Sequence, residues 1–226
     1  MNVNAVLNAS LISIDIETLG RLEEKPLPDI TCICTYDGKN KTAFRFWQMN
    51  QETRDSNKKA LCDILNEADY ITGYNLVYFD FVYMKQVLNI DEKVVSDWIL
   101  KTVDVFMVCK HILKHTCKLD HILSMNQLSQ KCGDGRGAIE LARLFKFQEL
   151  IDYCMNDAVL CYELLSLSQG IVISEGAKLY IQRNESEKIQ IELKARFQQQ
   201  KQMKPLSWTP LAEETLFLDK CMENMQ

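Results

Sequence analysis

The segment Leu11 to Ile16, LISIDI, is apolar except at Ser13 and Asp15. A run of that kind reads as a strand buried on both faces, at the centre of a sheet rather than at its edge. The chain around it must therefore supply covering layers, and 226 residues are enough to bury a real core without staples. At the end of the run stand Asp15 and Glu17, two positions apart and so on one face of a strand.

The following segments supply those layers. Asp29 to Thr35 and Thr42 to Trp47 alternate as two more strands, joined by the turn residues Tyr36-Asp37-Gly38-Lys39-Asn40 into a hairpin. Gln51 to Asn66 carries Ala60, Leu61, Ile64 and Leu65 at helical spacing. Asp69 to Gly73 is a short strand. Helices are expected over Phe79 to Leu88, Val103 to Lys114, Leu123 to Lys131, Ala138 to Leu144 and Glu149 to Ser168, with a glycine loop at Gly133 to Gly137. The order implies an α/β fold with a mixed central sheet flanked by helices. Two units are expected: residues 1–170, and a C-terminal extension over 171–226, mixed or helical, basic in its first half. In the extension, Ile171 to Ser174 and Leu179 to Gln182 suit a hairpin. Glu185 to Met203 suits either a strand followed by a helix or one long helix, and Pro210 to Met225 a last helix.

Net charge is −5, so the protein as a whole is not an electrostatic glove for nucleic acid. No apolar run reaches membrane-spanning length. The opening MNVNAVLNAS has no basic segment followed by a long apolar stretch, so no secretory leader is expected. With nine irregularly spaced cysteines, this favours reduced thiols and an intracellular setting, cytoplasmic or nuclear.

Three acidic positions carry the chemistry, and each has a plainer reading. Asp15 and Glu17 are costly on a buried strand unless a cation or hydrogen bonds offset them; the plain reading is a surface pair where the strand emerges. Asp80, among aromatics in GYNLVYFDFVYM, is either a ligand or the N-cap of the helix that follows. Asp157 lies four residues after Tyr153, so on a helix the phenol and the carboxylate share a face. It is either part of a site or a surface acid on an amphipathic helix.

Together the three segments are more specific. SIDIETLG, GYNLVYFD and YCMNDAVL resemble, in order, the three motifs of the DEDD superfamily of 3′→5′ exonucleases, which have an RNase H-like fold. The last two are especially similar to the proofreading domain of family B DNA polymerases, and Gly133 to Leu165 to exonuclease-like domains of some helicases. The third motif is of the tyrosine type, with Asp152 where the sister subclass carries His. The resemblance spans roughly residues 10 to 168. It implies hydrolysis of phosphodiester bonds at single-stranded 3′ ends, releasing nucleoside 5′-monophosphates, with DNA favoured over RNA. It also implies two divalent ions, Mg²⁺ or Mn²⁺, held about 4 Å apart by hard carboxylate oxygens. Asp15 would bridge both ions. Glu17 and Asp157 would complete one site, and Asp80 would support the second, largely through water. Tyr153 would orient the attacking water, since a phenol near pKa 10 is a poor base at neutral pH. Thr18 and Leu19 would meet the terminal nucleotide, Leu19 as a wedge. Asn75 and Phe79 would line the strand path, unless Phe79 is simply core.

Other signals are weaker. His111, His115 and His121 with Cys109 and Cys117 have ligand types that suit zinc. Yet the stretch reads as helical only to about His115 and has no Cys-x₂-Cys. Lys110, Lys114 and Lys118 form a stripe better read as a solvated face than as a phosphate contact. Lys178 to Lys204 holds seven Lys and Arg against three Glu, a local excess of +4 on a remainder at −9. Its Lys194, Arg196 and Lys201 would contact the backbone of an incoming strand, and a protein partner would suit the same charge. The rival to a nuclease is a catalytically silent nucleic-acid-binding protein or scaffold on the same fold.

Overall fold

β1 (Leu11–Thr18) lies at the middle of a five-stranded mixed sheet. The computed structural model describes residues 10–113, 115–131, 135–167, 170–174, 177–183 and 189–195. β2 (Ile30–Tyr36) and β3 (Lys41–Arg45) form the expected antiparallel hairpin on one side of β1. β4 (Tyr70–Gly73) and β5 (Thr102–Asp104) pair parallel on the other, giving the order β3-β2-β1-β4-β5. In the hairpin turn the Asp37 carboxylate accepts from the Lys39 and Asn40 amides. Gly38 sits there at φ +92°, where a side chain would strike the Tyr162 hydroxyl.

Alternation on β1 decides which layer each residue enters. Ile12, Ile14 and Ile16 pack with Ile33, Phe44, Leu61, Leu65, Phe81, Tyr83 and Trp98. That layer is covered by α1 (Gln51–Glu67), α2 (Phe81–Val87) and α3 (Glu92–Leu100). The odd positions face α7 (Phe147–Leu165), which lies across β1 and β2 with α6 (Gly135–Arg143) beside it. Ser13 Oγ donates to the Ala158 carbonyl at 2.5 Å, and Cys154 Sγ donates to the Asp15 carbonyl at 3.2 Å. These two contacts seat the helix directly on the central strand. A third cluster gathers α4 (Val105–Leu113), α5 (Leu119–Met125), the end of α7 and β6 (Ile171–Ser174).

Several expectations need correction. α3 was not anticipated, although Asp91 caps it by accepting from the Lys93 amide. The helix expected from Val103 begins only at Val105, because Thr102 to Asp104 complete the sheet. α5 starts at Leu119 and stops at Met125, before the left-handed Gln127. The helix expected from Phe79 is entered through a π-type turn over Leu76–Asp80. β6 and β7 (Ala177–Arg183) form the expected hairpin, and β8 (Ile189–Ala195) pairs with β7 as a strand. One long helix over 185–203 is thereby excluded, while the helix expected over 210–225 lies outside the described residues. Among the described residues no helix is long and apolar enough to cross a membrane.

Candidate nuclease active site

Glu17 is registered opposite Cys32, and Asp15 opposite Cys34, so both acids point from β1 toward α7. Asp157, on the buried face of that helix, meets them. One oxygen from each of Asp15, Glu17 and Asp157 lies within 4.8 Å of the others. A break in register between Glu17 and Thr18 ends the strand at this point, as bulges beside functional sites do. The plain readings of Asp15, Glu17 and Asp157 as surface acids fail, since Asp157 is buried and the other two are half-buried.

Asp80 is also buried, but it caps nothing: its Oδ1 accepts from the Ile16 amide at 3.2 Å, tying the π-type turn to β1. Tyr153 is buried beside the cluster. Thr18 is buried, its hydroxyl donating to the Gly20 carbonyl at 2.7 Å. Leu19 packs half-buried against the cluster that contains Tyr153. Asn75 adopts a left-handed conformation at φ 68°, and Phe79 leans on Tyr83 with ring centroids 4.9 Å apart, so part of its ring belongs to the core. Lys194 is on β8 opposite Lys178, and Arg196 and Lys201 lie outside the described residues.

Sequence reasoning missed two groups. The first is Lys131, whose Nζ stands 2.5 Å from Asp157 Oδ2 and 5.7 Å from the Tyr153 ring centroid. Burial opposes its charge, but Asp157 and Asp15 outweigh that and raise its pKa. The second is Asp104, at the end of β5. It accepts from the amides of Asn75, Val77, Phe106 and Met107. It thereby holds the left-handed turn that leads into Asp80. Nothing in the residue spacing announces either; for Lys131 the available signal was that acids brought together need a cation nearby, and for Asp104 there was none.

The electrostatics follow from crowding. Burial, then Asp157 and Glu17, push Asp15 well up; burial does the same for Glu17. Burial and Asp104 push Asp80 up to about 8. Burial pushes Asp157 up against the opposing Lys131. The Tyr153 phenol is raised chiefly by burial, so it is a neutral donor at neutral pH. Two buried carboxylate oxygens, Asp15 Oδ2 and Asp157 Oδ1, have no hydrogen-bond partner among the described residues. Hard oxygens left unsatisfied in this way fit a divalent ion of the Mg²⁺ or Mn²⁺ type. Behind them Cys32, Cys34 and Cys154 bring their sulfurs within 4.8 Å of one another, a soft donor set unsuited to those ions. Among the described residues the stretch around His115 and Cys117 forms no such cluster.

Comparison with known proteins bears on the family and the fold. A family model described as the RNase H superfamily matches residues 12–167. The family B DNA polymerase of the archaeon Pyrobaculum calidifontis is similar in structure, with a TM-score of 0.56 and 15% identity over 71% of this chain and 24% of the polymerase. Trypanosoma brucei RNase D, in a complex with GMP, gives a TM-score of 0.47 and 12% identity over 76% of this chain and 54% of that one. Escherichia coli exonuclease I, solved with an oligonucleotide, gives 0.41 and 15% over 64% and 42%. The chain thus spans about a quarter of the polymerase and about half of the RNase D. No curated protein matches it in sequence.

Proposed function

Because this chain belongs to the RNase H superfamily, we propose that its carboxylate cluster serves a metal-dependent 3′→5′ exonuclease acting on single-stranded nucleic acid. The observation that carries this is the meeting of Asp15, Glu17 and Asp157, with two of their oxygens unsatisfied. Asp15, Glu17 and Asp157 would hold one ion, and Asp80 would support a second. Bound there, Mg²⁺ or Mn²⁺ supplies charge neutralisation at the phosphoryl group and a more acidic water.

The chain's own residues do the rest. Tyr153 keeps its proton and donates from Oη, which positions the attacking water without accepting its proton. Leu19 would wedge against the terminal base, and Asn75 and Phe79 would border the path of the strand. Water attacks phosphorus, the bond to the preceding nucleotide's 3′ oxygen breaks, and that oxygen takes up a proton. The product is a nucleoside 5′-monophosphate. The likeness of the motifs to polymerase proofreading favours DNA over RNA. On this reading residues 1–170 are the nuclease unit and 171–226 an extension open to a protein partner. We place the protein in a reducing, intracellular setting, the reading that its irregularly spaced cysteines suggest.

One observation favours the silent nucleic-acid-binding reading: Lys131 pairs with Asp157 Oδ2 and offsets part of the acidic charge without any metal. A single experiment separates the two. Purified protein is incubated with 3′-labelled and 5′-labelled DNA and RNA oligomers in Mg²⁺, Mn²⁺ or EDTA. The nuclease reading expects stepwise loss from the 3′ end with metal, none with EDTA, and none with Asp15→Asn. Intact substrate with Mn²⁺, or ordinary turnover by Asp15→Asn, overturns it.

A further inference from the structure

We propose that Trp47, Phe145 and Phe147, with Arg45, form a base-stacking subsite for single-stranded nucleic acid on the approach to the carboxylates. The proposal rests on the exonuclease reading for its direction toward the site. Its placement comes from the register of the sheet. Glu17 pairs with Cys32, and Cys32 pairs with Arg45, so the three stand in one row across β1, β2 and β3 and share a face. Neighbouring strands are about 4.8 Å apart, which puts Arg45 roughly 10 Å from Glu17. Cys32 between them is buried under α6 and α7, so a strand would reach the acids around that cover, over more than the roughly three nucleotides of the straight line.

The row ends in aromatic rings. Trp47 and Phe145 stack with centroids 5.8 Å apart and planes 22° from parallel, and Phe147 meets Trp47 at 5.7 Å. The Arg45 guanidinium lies 3.4 Å from the centre of the Phe147 ring, and its Nε donates to the Trp47 carbonyl. Trp47 also packs on the cluster that holds Tyr153 and Leu19.

Three observations say that this group is not merely core. Phe145 is 60% exposed and its neighbour Leu144 58%. Phe145 also occupies the left-handed position that closes α6, at φ 58°, where Gly or Asn is the economical residue. A large ring there is a cost to folding. Finally, neither Arg45 nor Arg143 pairs with a carboxylate among the described residues, whereas Lys146 is taken by Glu149 at 2.9 Å. An exposed ring beside two half-buried ones, with guanidinium groups that meet no carboxylate among the described residues, suits a strand that offers bases to stack and phosphates to pair, whatever its sequence. An apolar protein partner would leave the two arginines without acceptors.

The test measures binding apart from hydrolysis. Fluorescence anisotropy in EDTA follows a labelled oligothymidylate of about 20 nucleotides on the full chain, and Phe145→Gly and Trp47→Leu should each raise Kd roughly 5- to 100-fold. Phe145→Gly relieves the left-handed residue, so its Tm should hold or rise; a ring kept only for folding predicts a fall instead. With Mn²⁺, hydrolysis of the p-nitrophenyl ester of thymidine 5′-monophosphate, too short to reach the rings, should be unchanged in both variants. Phe145→Gly binding the strand as tightly as wild type overturns the subsite and leaves the patch to a protein. Wild type that fails to bind the strand also overturns it. Wild type that binds the strand but hydrolyses neither substrate removes the exonuclease reading and leaves the subsite standing.

Discussion

Asp80 holds its proton to about pH 8 when folded, because it is buried and faces Asp104. Unfolded, it releases that proton near pH 4. The sign follows: its contribution to stability is greatest below about pH 4 and declines as pH rises to about 8. In EDTA the protein should therefore lose Tm across that interval. Asp80→Asn, whose Oδ1 still accepts from Ile16, should flatten the loss by on the order of 1 kcal/mol, a few degrees. Equal slopes in thermal melts of both proteins would rule this out. Lys131 is the other lever. Lys131→Met leaves Asp15 and Asp157 crowded without a cation, and in EDTA should lower stability by about 2–3 kcal/mol, discounted for its partial exposure. Added Mn²⁺ should then raise the variant's Tm more than that of wild type, since only bound metal is left to offset the acids. An unchanged melt in EDTA would show that Lys131 is no counter-charge. The acids were legible in the sequence because a strand's alternation and a helix's turn set their spacing locally. Lys131 was not, because only the packed chain brings it from the end of one segment onto Asp157.

Among the elements, β5 and the turn after β4 depend on one buried side chain. Asp104 receives four amides and is held up at about 6 by its burial in spite of them. Asp104→Ala strands those amides and should cost on the order of 3 kcal/mol by chemical denaturation. It should also release the path into Asp80 and cut nuclease activity. Asp104→Asn, which keeps one acceptor, should recover part of both. If Asp104→Ala melts like wild type, the turn is held by something else. The same elements show where sequence reading stopped. β1, the hairpin and α1 announce themselves through period and turn chemistry. β5 has three residues, too few to show a period, and runs straight into α4, so VDVFMVCK reads as helix throughout. The π-type turn cannot be seen in residue types, since its geometry comes from Asp104.

For the whole molecule, charge is unevenly placed. The chain is at −5, and Lys178 to Lys204 is the basic part of it. Charge reversal at Lys194, Arg196 and Lys201 together should weaken binding of a single strand while leaving saturated turnover alone. It should also flatten log affinity against log salt by a slope of roughly 0.7 per lost phosphate contact. Identical slopes would assign that charge to a protein partner. The layout of the sheet was readable because a strand buried on both faces demands helices on both sides. Which helix met which acid was not, because it depends on contacts between residues far apart in the chain. One of these contacts governs timing. β1 brings Asp15 and Glu17 near the start of the chain, but Asp157 comes only with α7, seated on β1 through Ser13 and Cys154. A nascent chain leaving the ribosome therefore carries no finished cluster until α7 has been made and has docked on β1.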